Sequence, residues 1–334
     1  VHANDWHMGA LVSFLKAKKL PLKTVFTVHN LGNQGKWNAA DIDNFLVEKN
    51  IFCRFGKEFN FMAEGILNAN VITTVSSRYA GEILTKQYGE NLENVLRARK
   101  KDISGILNGV DYDFFNPAKD KFLFKKYSRN NLAAKEANKI LFQKKYGLKQ
   151  GAEIPLFGLV SRLTGQKGIH LISAVCGRFI KEYSCQFAFL GKGNPIYENG
   201  LAELAKKYPK SVFTKIGFDE KSAREIYAAS DFFLMPSIFE PCGLGQMIAL
   251  KYGAIPVVRE TGGLKDTVKN KKNGFTFIQP SPAALSRAMV EALRLFQNKE
   301  KFAATRRRGM AEDFGWSKSA AKYKKIYEKI FSSF

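Results

Sequence analysis

The sequence predicts an α/β protein of two domains, each a parallel sheet with helices packed on it. Three observations carry this expectation. The 334 residues, 45% hydrophobic and 25% charged, suffice for about two hydrophobic cores. From Pro155 onward, short apolar strands alternate with longer amphipathic stretches, and repeated β-then-α units of this size build a parallel sheet covered on both faces. A shorter series of the same kind lies upstream, set apart by turn-rich, charged sequence that runs to Asn130.

In chain order, Leu11 to Lys19 reads as a helix and Thr24 to His29 as a strand. Ala69 to Val75 is a second strand, ended by Ser76-Ser77 before a helix over Arg78 to Gln87. After Ile103 to Asp111 the alternation breaks, and a helix with polar faces resumes over Asn131 to Tyr146. Residues 1–104 are assigned to the first domain and 105–315 to the second. The second domain reads as strand Leu156 to Val160, helix Gly168 to Lys181, strand Gln186 to Leu190 and helix Gly200 to Lys207. Strand Val212 to Ile216, helix Lys221 to Ser230 and strand Phe232 to Met235 follow. A turn then leads to a short helix, Met247 to Tyr252, capped at Gly253, and to a strand over Ala254 to Val258. The last helix, Ser317 to Phe331, repeats Ala320, Tyr323, Ile326, Tyr327 and Ile330 on one stripe suited to docking.

No apolar run approaches the roughly 18 residues of a membrane-spanning helix, so a soluble protein with no membrane partner is expected. The chain begins with Val beside a polar motif and shows no basic-then-apolar leader, which suggests a fragment or a processed product. Cys53, Cys176, Cys185 and Cys242 have no metal-type spacing and are too few for a disulfide framework, so a reducing cytoplasm is expected. The net charge of +23 is spread over many segments, among them Lys125, Lys206, Lys271 and Lys324. With no nucleic-acid motif in the sequence, that spread fits a lysine-rich surface around an anionic small ligand better than a nucleic-acid partner.

The polar residues gather at predicted strand ends. Ser-Ile-Phe-Glu-Pro-Cys-Gly-Leu-Gly-Gln, 237–246, places Glu240 and two glycines between a strand and a helix whose first amides lack helical partners. Open α/β sheets bind ligands at that end of a strand. Glu240, just past a strand end, is suited to accept hydrogen bonds from ligand hydroxyls. Cys242 reads as packing, with its backbone near the ligand. Ser161 to Gly168 carries Arg162 and Lys167 in the loop after another strand, a fork and a point charge that together suit a diphosphate. Solvated surface cations are the ordinary reading of such a loop, and the nearby Glu240 motif tips the balance. Thr261-Gly262-Gly263 offers backbone amides or a plain turn. In the first domain His29 ends an apolar strand, where it could bond a sugar or sit satisfied in the core. His2, Asp5 and His7 lie close together, yet no further ligand cluster supports a metal.

Together these strings resemble the bacterial glycogen synthase and plant starch synthase family. The resemblance runs through His-Ala-Asn-Asp-Trp-His at 2–7, Val-His-Asn-Leu at 28–31, Thr-Thr-Val-Ser at 73–76 and Ile-Leu-Asn-Gly-Val-Asp at 106–111. It continues through Ser-Arg-Leu-Thr at 161–164, Phe-Glu-Pro-Cys-Gly-Leu at 239–244 and Arg-Glu-Thr-Gly-Gly-Leu at 259–264. The resemblance implies two Rossmann-like domains facing a cleft, the GT-B arrangement, with residues 105–315 binding the nucleotide sugar and 316–334 crossing back to the first domain. It implies transfer of glucose from ADP-glucose, with UDP-glucose the lesser alternative, to the non-reducing end of an α-1,4-glucan with retention, without a cofactor. A plastid would replace the cytoplasm in a plant.

By the same resemblance, Arg162 and Lys167 hold the diphosphate and Glu240 the donor sugar, beside the backbone of Cys242, Gly243 and Leu244. Phe218, where the family often has Tyr, borders the adenine, and Thr261 and Gly262 flank the donor. His29 sits by the transferred glucose, with Asp5 and Asn30 toward the acceptor. The sequence departs from the family pattern at Gly245 (usually Thr or Ser), Ile238 (often Arg), Asn33 (an aromatic) and Asn4 (His). The family's Lys-Thr-Gly-Gly-Leu loop has no counterpart, so the first domain is expected to be incomplete. Two other readings remain open at this stage: a non-catalytic nucleotide-sugar or glucan binder, and a basic polyanion-binding protein.

Overall fold

A computed structural model describes residues 1–42 and 51–332, and its contacts divide the chain into two units, Val1–Asn108 with Trp316–Phe334, and Gly109–Gly315. The first unit contains strands β1 (His2–Asn4), β2 (Val25–Val28), β3 (Lys36–Asn38), β4 (Arg54–Phe55), β5 (Glu58–Asn60), β6 (Val71–Thr74) and β7 (Ile103–Gly105). Its helices are α1 (Gly9–Ala17), α2 (Ala39–Ile42), α3 (Phe61–Asn68), α4 (Ser77–Glu82) and α5 (Glu93–Ala98). The parallel sheet runs β1-β2-β6-β7, with a small antiparallel β3-β5-β4 sheet beside it. Val-Phe-Thr-Val of β2 is buried at every position, as a strand covered on both faces must be.

The second unit opens with α6 (Leu132–Lys145) and continues β8 (Leu156–Val160), α7 (Ile169–Tyr183), β9 (Gln186–Gly191), α8 (Pro195–Lys207) and β10 (Val212–Ile216). Next come α9 (Glu220–Ala229), β11 (Phe232–Met235), α10 (Gly245–Lys251), β12 (Ile255–Arg259), α11 (Gly262–Thr267) and β13 (Phe275–Phe277). Helices α12 (Pro282–Gln297) and α13 (Lys299–Ala311) complete it, and α14 (Trp316–Phe331) belongs to the first unit. There Ser319 Oγ donates to the Leu107 carbonyl at 2.5 Å, and the His2 ring bridges Thr27 Oγ1 at 2.6 Å and Tyr327 Oη at 2.7 Å.

All strands of the second sheet are parallel, in the order β10-β9-β8-β11-β12-β13. Counted from the unit's first strand this is 3-2-1-4-5-6, the order of doubly wound nucleotide-binding sheets. Strand alternation sorts the core. Phe157, Leu159, Phe187 and Phe189 face one helical layer, where Phe179 of α7 and Leu285 of α12 are buried. Leu156, Ala188 and Leu190 face the other, with Phe142 of α6 and Ile226 of α9.

The expected α/β fold is observed, and the element bounds show where local pattern misleads. The helix expected over 78–87 ends at Glu82, because Thr85 Oγ1 takes the Glu82 carbonyl at 2.7 Å and the following amides close tight turns. Helix α8 starts at Pro195, five residues ahead of the expected Gly200; Asn194 caps it by accepting from the Ile196 amide, and Pro195 suits its first turn. The polar face of α6 is not a solvated face: Lys135, Asn138, Lys139 and Gln143 are all buried. Lys135 Nζ donates to the Tyr227 and Ala228 carbonyls that end α9, at 3.3 and 2.9 Å. Lys139 Nζ and the Arg306 guanidinium each reach an oxygen of Asp231 at 2.6 Å, and Asp231 also accepts from the Leu156 amide at 2.9 Å.

Asp231 therefore ties α6, α13 and the start of β8 to the amino edge of the sheet. Asp231→Asn leaves two buried cations without a counter-charge and is expected to cost about 3–5 kcal/mol in chemical denaturation. A loss below about 1 kcal/mol, the scale of an exposed pair, would show that the cluster does not carry the edge.

Candidate functional site

In a parallel sheet the loops that leave the carboxyl ends of neighbouring strands lie side by side, and the chemistry-bearing residues of the second unit sit in such loops. Strands β8 and β11 are adjacent and mark the point where the strand order reverses. The loop after β8 delivers Lys167, the loop after β11 delivers Glu240, and Lys167 Nζ donates to Glu240 Oε2 at 2.6 Å. Both side chains are largely withdrawn from solvent, with 15% and 7% of their surface exposed. Ser237 Oγ donates to the same Oε2 at 3.0 Å, whereas Oε1 has no partner among the described residues. One of the three Lys167 N–H donors is thus spent, and two remain.

The Glu240 loop is held from three sides. From the β8 side, Gln166 accepts from the Ile238 amide through its carbonyl at 2.7 Å and donates through Nε2 to the Phe239 carbonyl at 3.2 Å. From β12, buried Arg259 donates through Nε to Ser237 O at 2.8 Å and also bonds the Ile238 carbonyl. From α11, the Gly263 amide donates to the Glu240 and Pro241 carbonyls at 3.2 and 3.1 Å. Contact is close enough to require glycine. A Cβ on Gly168, which has φ 69°, would lie 2.2 Å from Pro236 O, and one on Gly262, with φ 41°, would lie 2.0 Å from Glu240 O.

Arg162 is exposed and makes no ion pair with any described residue. Its loop is zipped to the one after β9, with Leu163 N donating to Lys192 O at 2.9 Å and Asn194 N to Leu163 O at 2.8 Å. This sets exposed Lys192 beside Arg162, a third cation of the site that sequence reading passed over. Cys242 is 5% exposed and Leu244 44%. Gly243 adopts φ 73°, and Thr261 is the buried residue that precedes α11. At Gly245 a Cβ would come within 3.2 Å of Met235 Sδ and 3.3 Å of the Phe233 ring, so Ser or Thr there would require those side chains to shift. Phe218, 83% exposed, follows Gly217 at the end of β10, and β9 separates β10 from β8, a stand-off of about 10 Å. Beside it, Lys215 holds the Asp219 carboxyl well below the usual carboxylate range, with help from the Ser222 amide that Asp219 caps.

The first unit has its own polar cluster. The His29 amide donates to Asp5 Oδ1 at 2.8 Å, and His29 Nε2 pairs with Asn4 Oδ1 at 2.9 Å. Asp5 adopts φ 54°, a left-handed conformation that costs energy in a non-glycine residue. Asn30 Oδ1 accepts from the Gly32 amide at 3.1 Å, which makes it a turn residue in this state. Burial, then the nearby His29, holds His2 below the ordinary histidine pKa, and both its nitrogens are already bonded. His7 stacks on Trp6, ring centroids 3.9 Å apart. Among the described residues no group of three or more His, Cys, Asp or Glu is placed to hold a metal, and no helix is long and apolar enough to cross a membrane.

Comparison with known proteins follows the same division. Residues 1–98 match the family described as starch synthase catalytic domain, and residues 138–308 match glycosyl transferases group 1. The glycogen synthase of Thermosipho melanesiensis is 42% identical over 99% of this chain and 72% of its own length. That of Thermodesulfovibrio yellowstonii is 41% identical over 99% of this chain and 68% of its own. The catalytic domain of starch synthase IV from Arabidopsis thaliana, solved bound to ADP and acarbose, superposes with a TM-score of 0.92 at 34% identity, covering 98% of this chain and 72% of that one.

Gly262→Ala tests the close approach. Its strained φ and its Cβ clash together should cost about 2–4 kcal/mol, a fall of roughly 4–16 °C in Tm for a unit of this size. Gly147→Ala, at φ 70° with nothing within 4 Å, carries the strain alone. Equal losses in the two variants would show that the clash is absent.

Proposed function

We propose that this chain, which belongs to the glycogen and starch synthase family and is a hexosyltransferase of the GT-B fold, transfers glucose from ADP-glucose to the non-reducing end of an α-1,4-glucan with retention of configuration. The observation that carries the reading is the Lys167–Glu240 pair at the strand-order reversal, with open valences on both partners. The ADP seen in the related starch synthase supports the choice of nucleotide.

When the donor's anomeric C–O bond breaks, negative charge grows on the departing diphosphate. The two remaining N–H groups of Lys167, already held in place by Glu240, and the unpaired fork of Arg162 stabilise that charge. Glu240 Oε1 accepts from a donor-sugar hydroxyl while Lys167 and Ser237 fix Oε2. Cys242, Gly243 and Leu244 supply backbone contacts, Thr261 and Gly262 flank them, and Phe218 covers the adenine. In the other unit His29, held by Asp5 and Asn4, bonds the transferred glucose, and Asp5 and Asn30 serve the acceptor sugar. Residues 105–315 form the nucleotide-sugar domain. The spacing and small number of the four cysteines suit a reducing cytoplasm.

Lys167→Ala is expected to lower glucose transfer from ADP-glucose to glycogen about tenfold or more, the scale of a lost phosphate contact. Turnover near that of the wild type would remove Lys167 from the site. In a donor competition, excess UDP-glucose should leave transfer from ADP-glucose largely intact, and β-amylase should release the added glucose as α-1,4-linked product. Preference for UDP-glucose would overturn the donor assignment. ADP binding without transfer would make the chain a nucleotide-sugar binder, and salt-sensitive heparin binding that ADP-glucose does not compete would favour a polyanion partner.

A further inference from the structure

Gln246, the second residue of α10, is fully buried, and its side chain lies beneath the Cys242–Leu244 loop. Its Nε2 donates to the Gly243 carbonyl at 2.9 Å, the Cys242 carbonyl at 3.2 Å and Thr267 Oγ1 at 3.1 Å. Its Oε1 is buried with no hydrogen-bond partner among the described residues. An amide that leaves one acceptor unsatisfied is costly, and the reverse orientation would be worse because it would set Oε1 against two carbonyl oxygens.

The consequence for the loop follows from peptide geometry. A trans peptide is planar, and its C=O and N–H point in opposite directions. With the Cys242 carbonyl turned toward Gln246, the Gly243 N–H is turned away from it. With the Gly243 carbonyl turned the same way, the Leu244 N–H is turned away too. Neither amide bonds any described residue. Gly243 makes the double turn possible through its φ of 73°, and a Cβ there would lie 2.6 Å from Gln246 Oε1. Thr267 completes the anchor: its hydroxyl donates to the Gly263 carbonyl at 2.6 Å, which ties Gln246 to the same α11 turn that holds Glu240.

We propose that Gln246 is a positioning residue for the reaction: by holding the Cys242 and Gly243 carbonyls inward, it aims the Gly243 and Leu244 amides at the diphosphate of the donor. The inference rests on the donor site proposed above. Gln246 does not touch the donor, and no role falls to it from its place in the motif, since its effect runs through two peptide planes.

The test uses the full chain, with ADP as the probe in titration calorimetry and Tm measured in parallel. Gln246→Glu preserves shape and, once ionised, removes both donors. At pH 8 it should weaken ADP binding about tenfold relative to wild type, the scale of one misdirected hydrogen bond. Burial against two carbonyls raises the new carboxyl's pKa, and its protonated form can donate one bond, so part of the loss should be regained at pH 6. Gln246→Asn, which keeps the amide but withdraws it from the loop, should weaken binding at both pH values. A lower Tm with unchanged ADP affinity in the folded variants would reduce Gln246 to a structural residue and overturn the proposal. Wild-type protein that binds no ADP would instead bring down the donor reading, and this inference with it.

Discussion

The candidate site depends on one ion pair that spans two strands. Lys167 and Glu240 are 73 residues apart in sequence, yet their loops leave adjacent strands at the place where the strand order reverses, and they meet at 2.6 Å. A largely buried carboxylate next to a single ammonium would be expensive if that were its whole environment. Ser237 adds a hydrogen bond to the same oxygen, while Gln166, Arg259 and the Gly263 amide hold the loop from three neighbouring elements. The pair is thus a rigid fixture whose remaining valences, two N–H groups and one carboxylate oxygen, suit a ligand that carries both phosphate and hydroxyl groups.

The two edges of the same sheet use charge in opposite ways. At the amino edge, Asp231 is saturated by Lys139, Arg306 and the Leu156 amide, and Lys135 caps the carbonyls of α9. At the carboxyl edge, Arg162 and Lys192 are exposed and unpaired among the described residues, and the Gly243 and Leu244 amides stand free. Saturated charge stabilises a fold, and unsaturated charge is what a ligand can answer. Part of the positive charge of the chain therefore lies inside the second unit as structural cement, whereas Arg162 and Lys192 remain open to an anionic ligand.

Much of this was legible in the sequence, for identifiable reasons. Leu156–Val160, Val212–Ile216 and Phe232–Met235 coincide with the strands read from it; the first and last are apolar on both faces, as central parallel strands must be, and Val212–Ile216 is the half-exposed edge strand. Arg162, Lys167 and Glu240 were placed at strand ends by the same alternation. That Lys167 bonds Glu240 was not legible, since periodicity locates a loop but not its neighbour. The burial of the α6 cations was not legible in its polar faces, because their partners, Asp231 and the end of α9, lie some ninety residues downstream. Short elements such as β1 and β13 escaped notice, three residues being too few to show a period. Asn194-Pro195 was a readable helix start that the search for apolar periodicity overlooked.

The proposed donor site lies in the loops after β8 and β11. A crystal structure of the protein with ADP and glucose bound tests it most directly. Diphosphate oxygens should lie within hydrogen-bond reach of Arg162, Lys167 and the Gly243 and Leu244 amides, with a glucose hydroxyl on Glu240. A diphosphate bound elsewhere, with the Lys167–Glu240 pair untouched by either ligand, would contradict it.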